Sequence, residues 1–410
     1  MKAPLEPTEE STLQIPGQSV LAKLIRRSKL LMIDEATMLD RFQLEAMDRT
    51  LRDLMAVQSP FGGKTLILAG DFRQCLPVVP GASRAATVSH CINQSGLWVC
   101  FEQMKLTTNM RVMASGDKNL QDFDDWTLKV GNGEMDALEI PSSMIVTRIQ
   151  PNSKGNTVSE GTAMKEFCQK IYPNIETNIE VQGWMDGRCI LAPTNKEVEM
   201  LNGVVCKMLP GREVVLKSSD ELENYHGLLR LNVEYLNTLM PNGFPPHSLK
   251  LKPNMPLMLL RNLDQKQGLC NGTKLVFLEV LDNKLLKCKL SNNKEVLIPR
   301  IVLRPKLGEY PFEWNRRQFP VKMAFASTIN KSQGKTLQYT GILTNNKLTN
   351  YTSFVGMWLR SQVFAHGQLY VGVSRVGSPD KLKFAVMLDK DNKMEPVKNV
   401  VFKEVLLRDQ

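Results

Sequence analysis

Apolar positions along the chain fall either in short unbroken runs or in helical repeats, and the two kinds alternate. Leu30-Leu31-Met32-Ile33 is one run and stops abruptly at Asp34-Glu35. Leu66-Ile67-Leu68-Ala69-Gly70 is a second and stops at Asp71-Phe72-Arg73-Gln74. Uncharged runs of this length read as strands of a parallel sheet covered on both faces. Between them Leu44, Met47, Leu51 and Leu54 recur at helical spacing behind Asp40 and Gln43, a pair spaced as an N-terminal capping box. A short helix is predicted over 19–27. The prolines of Leu76-Pro77-Val78-Val79-Pro80-Gly81 predict a stiff loop. Residues 105–111 read as a further strand ending in Arg111, the Ser- and Asn-rich passage 141–162 as a long loop, and 163–171 as a short helix.

A second α/β section opens with the strand 188–192. Pro193-Thr194-Asn195 follows, then a helix over 196–209 whose apolar positions are Val198, Leu201, Val205 and Leu209. From about 213 to 318 the texture changes to short strands, 276–281, 285–290 and 295–298, joined by Asp282-Asn283 and Asn292-Asn293. These are hairpin signals, and they predict a small antiparallel barrel inserted in the second section. Barrels of this size bind single strands or serve as spacers, and the pattern leaves both open. The α/β texture returns with a strand over 323–326 and another over 368–376, whose end would place Ser374 and Arg375 at a sheet edge.

Composition adds little to this picture. A chain of 410 residues with 42% apolar and 23% charged positions is an ordinary globular one, long enough for two or three cores. The net charge of +10 makes an anionic partner plausible without choosing between nucleic acid and membrane. No long uncharged run suggests a membrane span, and the N-terminus has no apolar signal core. The eight cysteines form no C-x-x-C pair and are expected to be free thiols.

The candidate chemistry lies at the polar tips. Ligands of open α/β sheets bind at the carboxyl ends of the strands, where Asp34, Glu35, Asp71 and Gln74 would project. Such carboxylates suit Mg²⁺-nucleotide chemistry, with Asp34 on the metal through water and Glu35 on an attacking water. The plainer alternative is a strand running into a helix start that favours acids. Thr194 and Asn195 are good N-cap residues, and the same donors could hold a backbone phosphate. Gly63-Lys64-Thr65 and Gly334-Lys335-Thr336 carry only the tail of G-x-x-x-x-G-K-[ST]. Gln58 and Ile329 stand where its first glycine belongs, so neither is read as a phosphate cradle.

Taken in order, these segments resemble the motifs of superfamily-one helicases, and closely those of the Pif-one family. Asp34-Glu35 looks like the Walker-B motif, and Gly70 to Gln74 with Leu76-Pro77 looks like the third motif. Asn109-Met110-Arg111 is similar to the fourth, Thr328 to Gly334 to the fifth, and Tyr370 to Val376 to the sixth. Leu257 to Asn262 with Cys270 to Thr273 is similar to the entry into the family's barrel. Asn330, with Arg316-Arg317-Gln318-Phe319-Pro320 upstream, resembles the Helitron-transposon and plant branch.

The resemblance implies an α/β fold of two RecA-like parallel-sheet motor domains, with an SH3-like or OB-like antiparallel barrel inserted. The first domain would be 1–138 and incomplete; the second would be 139–410, interrupted by the barrel at 213–318. It implies an ATP-dependent helicase that moves five-prime to three-prime on single-stranded DNA and opens duplex DNA, in repair, recombination, telomere maintenance or transposition, with nuclear residence. Asp34 would serve Mg²⁺, Glu35 the water, and Gln74 the γ-phosphate, with Arg111 and Arg375 as arginine fingers. Asp71 and Gly334 would border the nucleotide. Thr194, Asn195, Thr328, Lys331 and Ser332 would face DNA. The family's P-loop precedes its Walker-B strand, yet residues 1–33 hold a single glycine, Gly17. A shortened, inactive helicase, a non-catalytic nucleic-acid-binding remnant and a different P-loop-type enzyme follow as readings. An apolar face and an open edge are expected on the first sheet.

Overall fold

The computed structural model describes residues 4, 7–113, 116–150, 157–181, 183–223, 232–306, 308–333, 343–344, 347–348 and 354–406. The chain divides into two compact units. One comprises Met1–Arg148, Thr328–Leu337 and Met357–Gln410; the other comprises Ile149–Ser327 and Gln338–Gly356. The fold is α/β, and no helix among the described residues is long and apolar enough to cross a membrane.

In the first unit the two apolar runs form strands Leu30–Ile33 and Thr65–Leu68, which pair in parallel from Leu30 opposite Thr65 to Ile33 opposite Leu68. Helix Arg41–Met55 carries the expected capping box: Asp40 accepts from Phe42 N–H, and Gln43 accepts from Asp40 N–H. Its buried positions Leu44, Met47 and Leu51 meet Leu31, Ile33, Leu66 and Leu68 from one side of the sheet. The other side is open. Leu30 is 48% and Met32 66% exposed, so these strands are not covered on both faces, although the open apolar face itself was expected.

Three readings change. Residues 101–109 form no strand, Leu106 is fully exposed, and Met110–Met113 is a single helical turn. A strand needs a paired backbone, and no described strand pairs with this segment. The expected loop over 141–162 contains the strand Ile145–Ile149, with Thr147 and Ile149 buried, and the following helix starts earlier, at Thr157. The run at 368–376 is the helix Gln368–Val373, not a strand. A short apolar run buried all round looks the same in either form, because periodicity cannot separate them. In the first unit, Leu382–Met387 lies between Phe354–Leu359 and Ile145–Ile149. Neither Phe354–Leu359 nor Leu382–Met387 was anticipated.

In the second unit Arg188–Ala192 lies beside Ala326–Thr328. The apolar stretch expected as one strand at 323–326 is split between Val321–Met323 and Ala326–Thr328. Helix Asn195–Met208 packs Val198, Leu201 and Val205 inward, and Asn202 Oδ1 accepts from Phe325 N–H and Ala326 N–H. The inserted segment is antiparallel as expected: Lys274–Leu281, Leu285–Lys289 and Glu295–Pro299 form consecutive hairpins, with Pro256–Leu259 and Val321–Met323 completing their sheet. All eight cysteines are free.

Leu44→Ala, which empties a fully buried position of the first core, is expected to cost about 2–5 kcal/mol in urea unfolding. Met32→Lys on the open face should stay within about 0.5 kcal/mol of the parent. A comparable loss in both variants would mean that the face is covered in solution.

Candidate nucleotide site

The site begins where the paired strands end. Beyond Ile33 the chain turns through Glu35, whose φ of 52° and ψ of 38° put a non-glycine residue in the left-handed region. That conformation costs about 1–2 kcal/mol and is held here by the backbone around it. Ala69 N–H donates to Ile33 O, and Ala36 N–H donates to Ala69 O, so the turn is tied to the end of the neighbouring strand. Gly70 packs closely against the same turn, since a Cβ there would sit 3.1 Å from Thr37 N and press on it. The strained turn aims Glu35 toward Gln333, whose Nε2 donates to Glu35 Oε2 at 3.0 Å.

Arg375 reaches the same place from helix Gln368–Val373. It is buried; Nε donates to Val371 O at 2.8 Å, Nη1 to Ser332 O at 3.3 Å and Nη2 to Ser374 Oγ at 2.9 Å. Two of its five N–H groups lie outside these bonds and can meet an anion. Burial lowers its pKa from the ordinary guanidinium value, and the nearby Glu35 carboxylate opposes that shift. Cys75, beside Gln74, is pushed up to about 12 by burial, so its thiol is not a nucleophile. Two buried acceptors, Gln74 Oε1 and Gln333 Oε1, have no donor among the described residues.

The loop carrying Gln74 is wired to distant parts of its unit. Asp71 Oδ1 accepts from Arg73 N–H at 3.0 Å, and Oδ2 accepts from the Tyr370 hydroxyl at 2.8 Å. Burial, with Asp71 beside it, raises the Tyr370 pKa, so the phenol stays a donor. Arg73 Nε donates to Asn132 Oδ1 at 2.7 Å. Gly131 is obligatory there, because its Cβ would fall 2.6 Å from the Tyr370 ring. His366 Nε2 donates to Phe72 O, and its Nδ1 accepts from Phe402 N–H, which fixes a neutral tautomer. Burial lowers its pKa accordingly.

The sequence-derived residues therefore divide. Glu35 and Arg375 are brought together in one unit, with Cys75, the neighbour of Gln74 in sequence, within reach of both; Asp34 is exposed, its Oδ1 accepting from Glu35 N–H. Asp71 is occupied by Arg73 and Tyr370. Arg111 lies on the turn Met110–Met113, and its side chain is outside what the structure describes, as is Gly334. Thr194 caps its helix: Oγ1 donates to Glu197 Oε2 and accepts from Glu197 N–H, while Asn195 is exposed at the first helical position. Ser332 is buried with its hydroxyl on Ile329 O, Thr328 is half-buried, and Lys331 is exposed. Gln333, Tyr370 and His366 were missed as contributors. Gln333 and Tyr370 lie inside recognised motifs, and nothing local in the sequence marks His366.

The donor set suits the reacting end of a nucleotide better than its phosphate cradle. A buried guanidinium, a carboxylate and the unpartnered amide oxygen of Gln333 stand together, but the 410 residues contain no G-x-x-x-x-G-K-[ST]. Among the described residues no cluster of three or more His, Cys, Asp or Glu could hold a metal. Asp34 is a lone exposed carboxylate at this edge, a donor type that fits Mg²⁺, which takes one or two carboxylates plus water and phosphate.

Residues 1–140 match the family model described as PIF1-like helicase, and residues 234–280 match DNA helicase Pif1, 2B domain. Over these two segments the chain is similar to Pif1-type helicases. The ATP-dependent DNA helicase PIF1 of Xenopus laevis is 26% identical over 89% of this chain and 47% of its own length. The yeast helicase RRM3 from Saccharomyces cerevisiae is 22% identical over 90% of this chain and 53% of its own. The chain thus spans about half the length of these curated Pif1-family relatives. Among solved structures, the Bacteroides Pif1 helicase in complex with ADP-AlF3 and single-stranded DNA aligns with a TM-score of 0.61 at 19% identity, covering 96% of this chain and 79% of that one. Candida albicans Pif1 aligns with a TM-score of 0.57 at 21% identity, covering 94% and 77%.

His366 is neutral in the fold, with a pKa below the ordinary 6.5, so its stabilisation is complete above that pH and is lost as the pH falls through the lowered value. Thermal unfolding from pH 7.5 to 5 should show a steeper acid loss for the parent than for His366→Gln. Equal slopes would sink this assignment. Tyr370→Phe removes the bond to Asp71 and is expected to cost about 1–3 kcal/mol in chemical unfolding.

Proposed function

We propose that the chain is the motor part of an ATP-dependent Pif1-type DNA helicase that moves five-prime to three-prime along single-stranded DNA and separates duplex ahead of it. The observation that carries this reading is the meeting of Glu35, Gln333 and Arg375 beyond the ends of two parallel strands. In this reading Asp34 holds Mg²⁺, which supplies charge neutralisation on the phosphates when bound. Glu35 orients and deprotonates water, Gln74 senses the γ-phosphate, and Arg375 stabilises the charge that develops on it. Arg111 is assigned the second finger from its place in the motif order. Residues 1–138 and 139–410, with the barrel at 213–318, are proposed as the two motor domains, and Thr194, Asn195, Thr328 and Lys331 as contacts to the DNA backbone.

A second reading is a non-catalytic single-strand-binding remnant, favoured by one feature: these 410 residues contain no phosphate-cradling motif. Both readings predict that the purified 410-residue polypeptide binds oligo-dT with little DNA-stimulated ATPase. Glu35→Gln should then change nothing measurable. In a version extended by a P-loop segment, the same substitution should abolish turnover if the first reading holds, and no turnover should arise at all if the second does. Strong ATP hydrolysis by the unextended polypeptide would refute its expected inactivity and the remnant reading with it. The DNA affinity should fall linearly in log–log form with salt, because neutralised phosphates release counterions.

A further inference from the structure

We propose that the second unit carries a docking groove for a proline-rich, basic peptide segment of a partner protein, separate from the nucleotide site. The groove is a cavity of about 880 Å³ beside the connection between strands Ile301–Leu303 and Trp314–Gln318. Tyr310, Phe312 and Trp314 form its aromatic wall, with ring centroids 5.9 Å apart for Tyr310–Phe312 and for Tyr310–Trp314. Tyr235 extends the aromatic ledge, 6.3 Å from Phe312 and 47% exposed. Rings packed only for the core would be hidden, yet Tyr310 and Phe312 are both half-exposed. Trp314 is the exception at 1%, and its Nε1–H has no acceptor among the described residues.

Charge decides the class of ligand. Arg304 is spent on Glu223, whose Oε1 accepts from Arg304 Nε and Nη2 and from Asn315 Nδ2. Among the described residues around the aromatic wall, the carboxylates Glu223, Glu309 and Glu313 outnumber the cations Arg304 and Lys306. On a chain of net charge +10 this is a locally acidic spot, unfavourable for phosphates and favourable for arginine or lysine. A polyproline II segment has no internal hydrogen bonds, so its carbonyls are free to accept. Its prolines pack on aromatic faces without losing much conformational freedom, and a flanking cation selects an acidic rim. The hydroxyl of the half-exposed Tyr310 is the donor at hand, and Glu313 is the counter-charge.

Fluorescence anisotropy of a labelled RPLPPLP peptide with the full 410-residue chain tests the proposal. Saturable binding is expected, weakened about tenfold by Tyr310→Ala or Phe312→Ala, as for anchoring aromatics elsewhere. Glu313→Lys, an exposed change that leaves the fold intact, should weaken RPLPPLP several-fold and spare APLPPLP. No saturable binding by the parent chain, or equal binding of RALAALA, would overturn the proposal. So would displacement of the peptide by oligo-dT together with an equal loss of oligo-dT affinity in Tyr310→Ala, which would make the groove a nucleic-acid contact.

Discussion

The parallel pairing of Leu30–Ile33 with Thr65–Leu68 is the constraint on which the candidate site depends. Two parallel strands end at the same edge, so the residues that follow them are neighbours in space although more than thirty positions apart in sequence. The pairing sets the register; the buried side, Leu31, Ile33, Leu66 and Leu68 against the helix behind Asp40, holds it there. From that edge the chain leaves through a left-handed Glu35 and a glycine packed closely against Thr37. The strain is small beside the core beneath it, and it gives the carboxylate a direction that an unstrained turn would not.

What surrounds that edge is a set of single hydrogen bonds from remote segments, each joining the loop of Gln74 to a different part of the same unit. Tyr370 takes Asp71, Asn132 takes Arg73, and His366 links Phe72 to Phe402. Asp71 in this arrangement holds a loop in shape, with both carboxylate oxygens already accepting from protein donors. Arg375 is anchored by carbonyls and by Ser374, and its buried charge lies within electrostatic reach of Glu35. An anion arriving there would meet donors whose positions are already set, the condition under which electrostatic stabilisation is strongest.

The barrel is built on a different principle. Arg316 is completely buried, bonded to both oxygens of Asp220 and to the carbonyls of Leu236, Leu239 and Pro245. Gln318, equally buried, donates to Leu216 O and His247 O. A charge so enclosed is tolerated only when every neighbour is a partner, and removing Asp220 alone would leave it uncompensated. The Arg316-Arg317-Gln318-Phe319-Pro320 stretch that stood out in the sequence is therefore scaffolding for the segment that bears the aromatic groove.

Local chemistry alone determined a good part of this protein. The two apolar runs with polar tips, the capping boxes at Asp40 and Thr194 and the Asn-rich hairpins each rest on interactions among near neighbours, so they could be read directly. The ordered motifs did the same for the family. Tertiary structure decided the rest. It turned 368–376 into a helix, left 105–111 without a strand partner and engaged Asp71 with Tyr370. It also made Gln333 the partner of Glu35, a contact spanning nearly three hundred residues. The physical reason is common to these cases. Burial from all sides erases periodicity, a strand exists only with its neighbour, and a side chain's partner is chosen by where the backbone finally brings it.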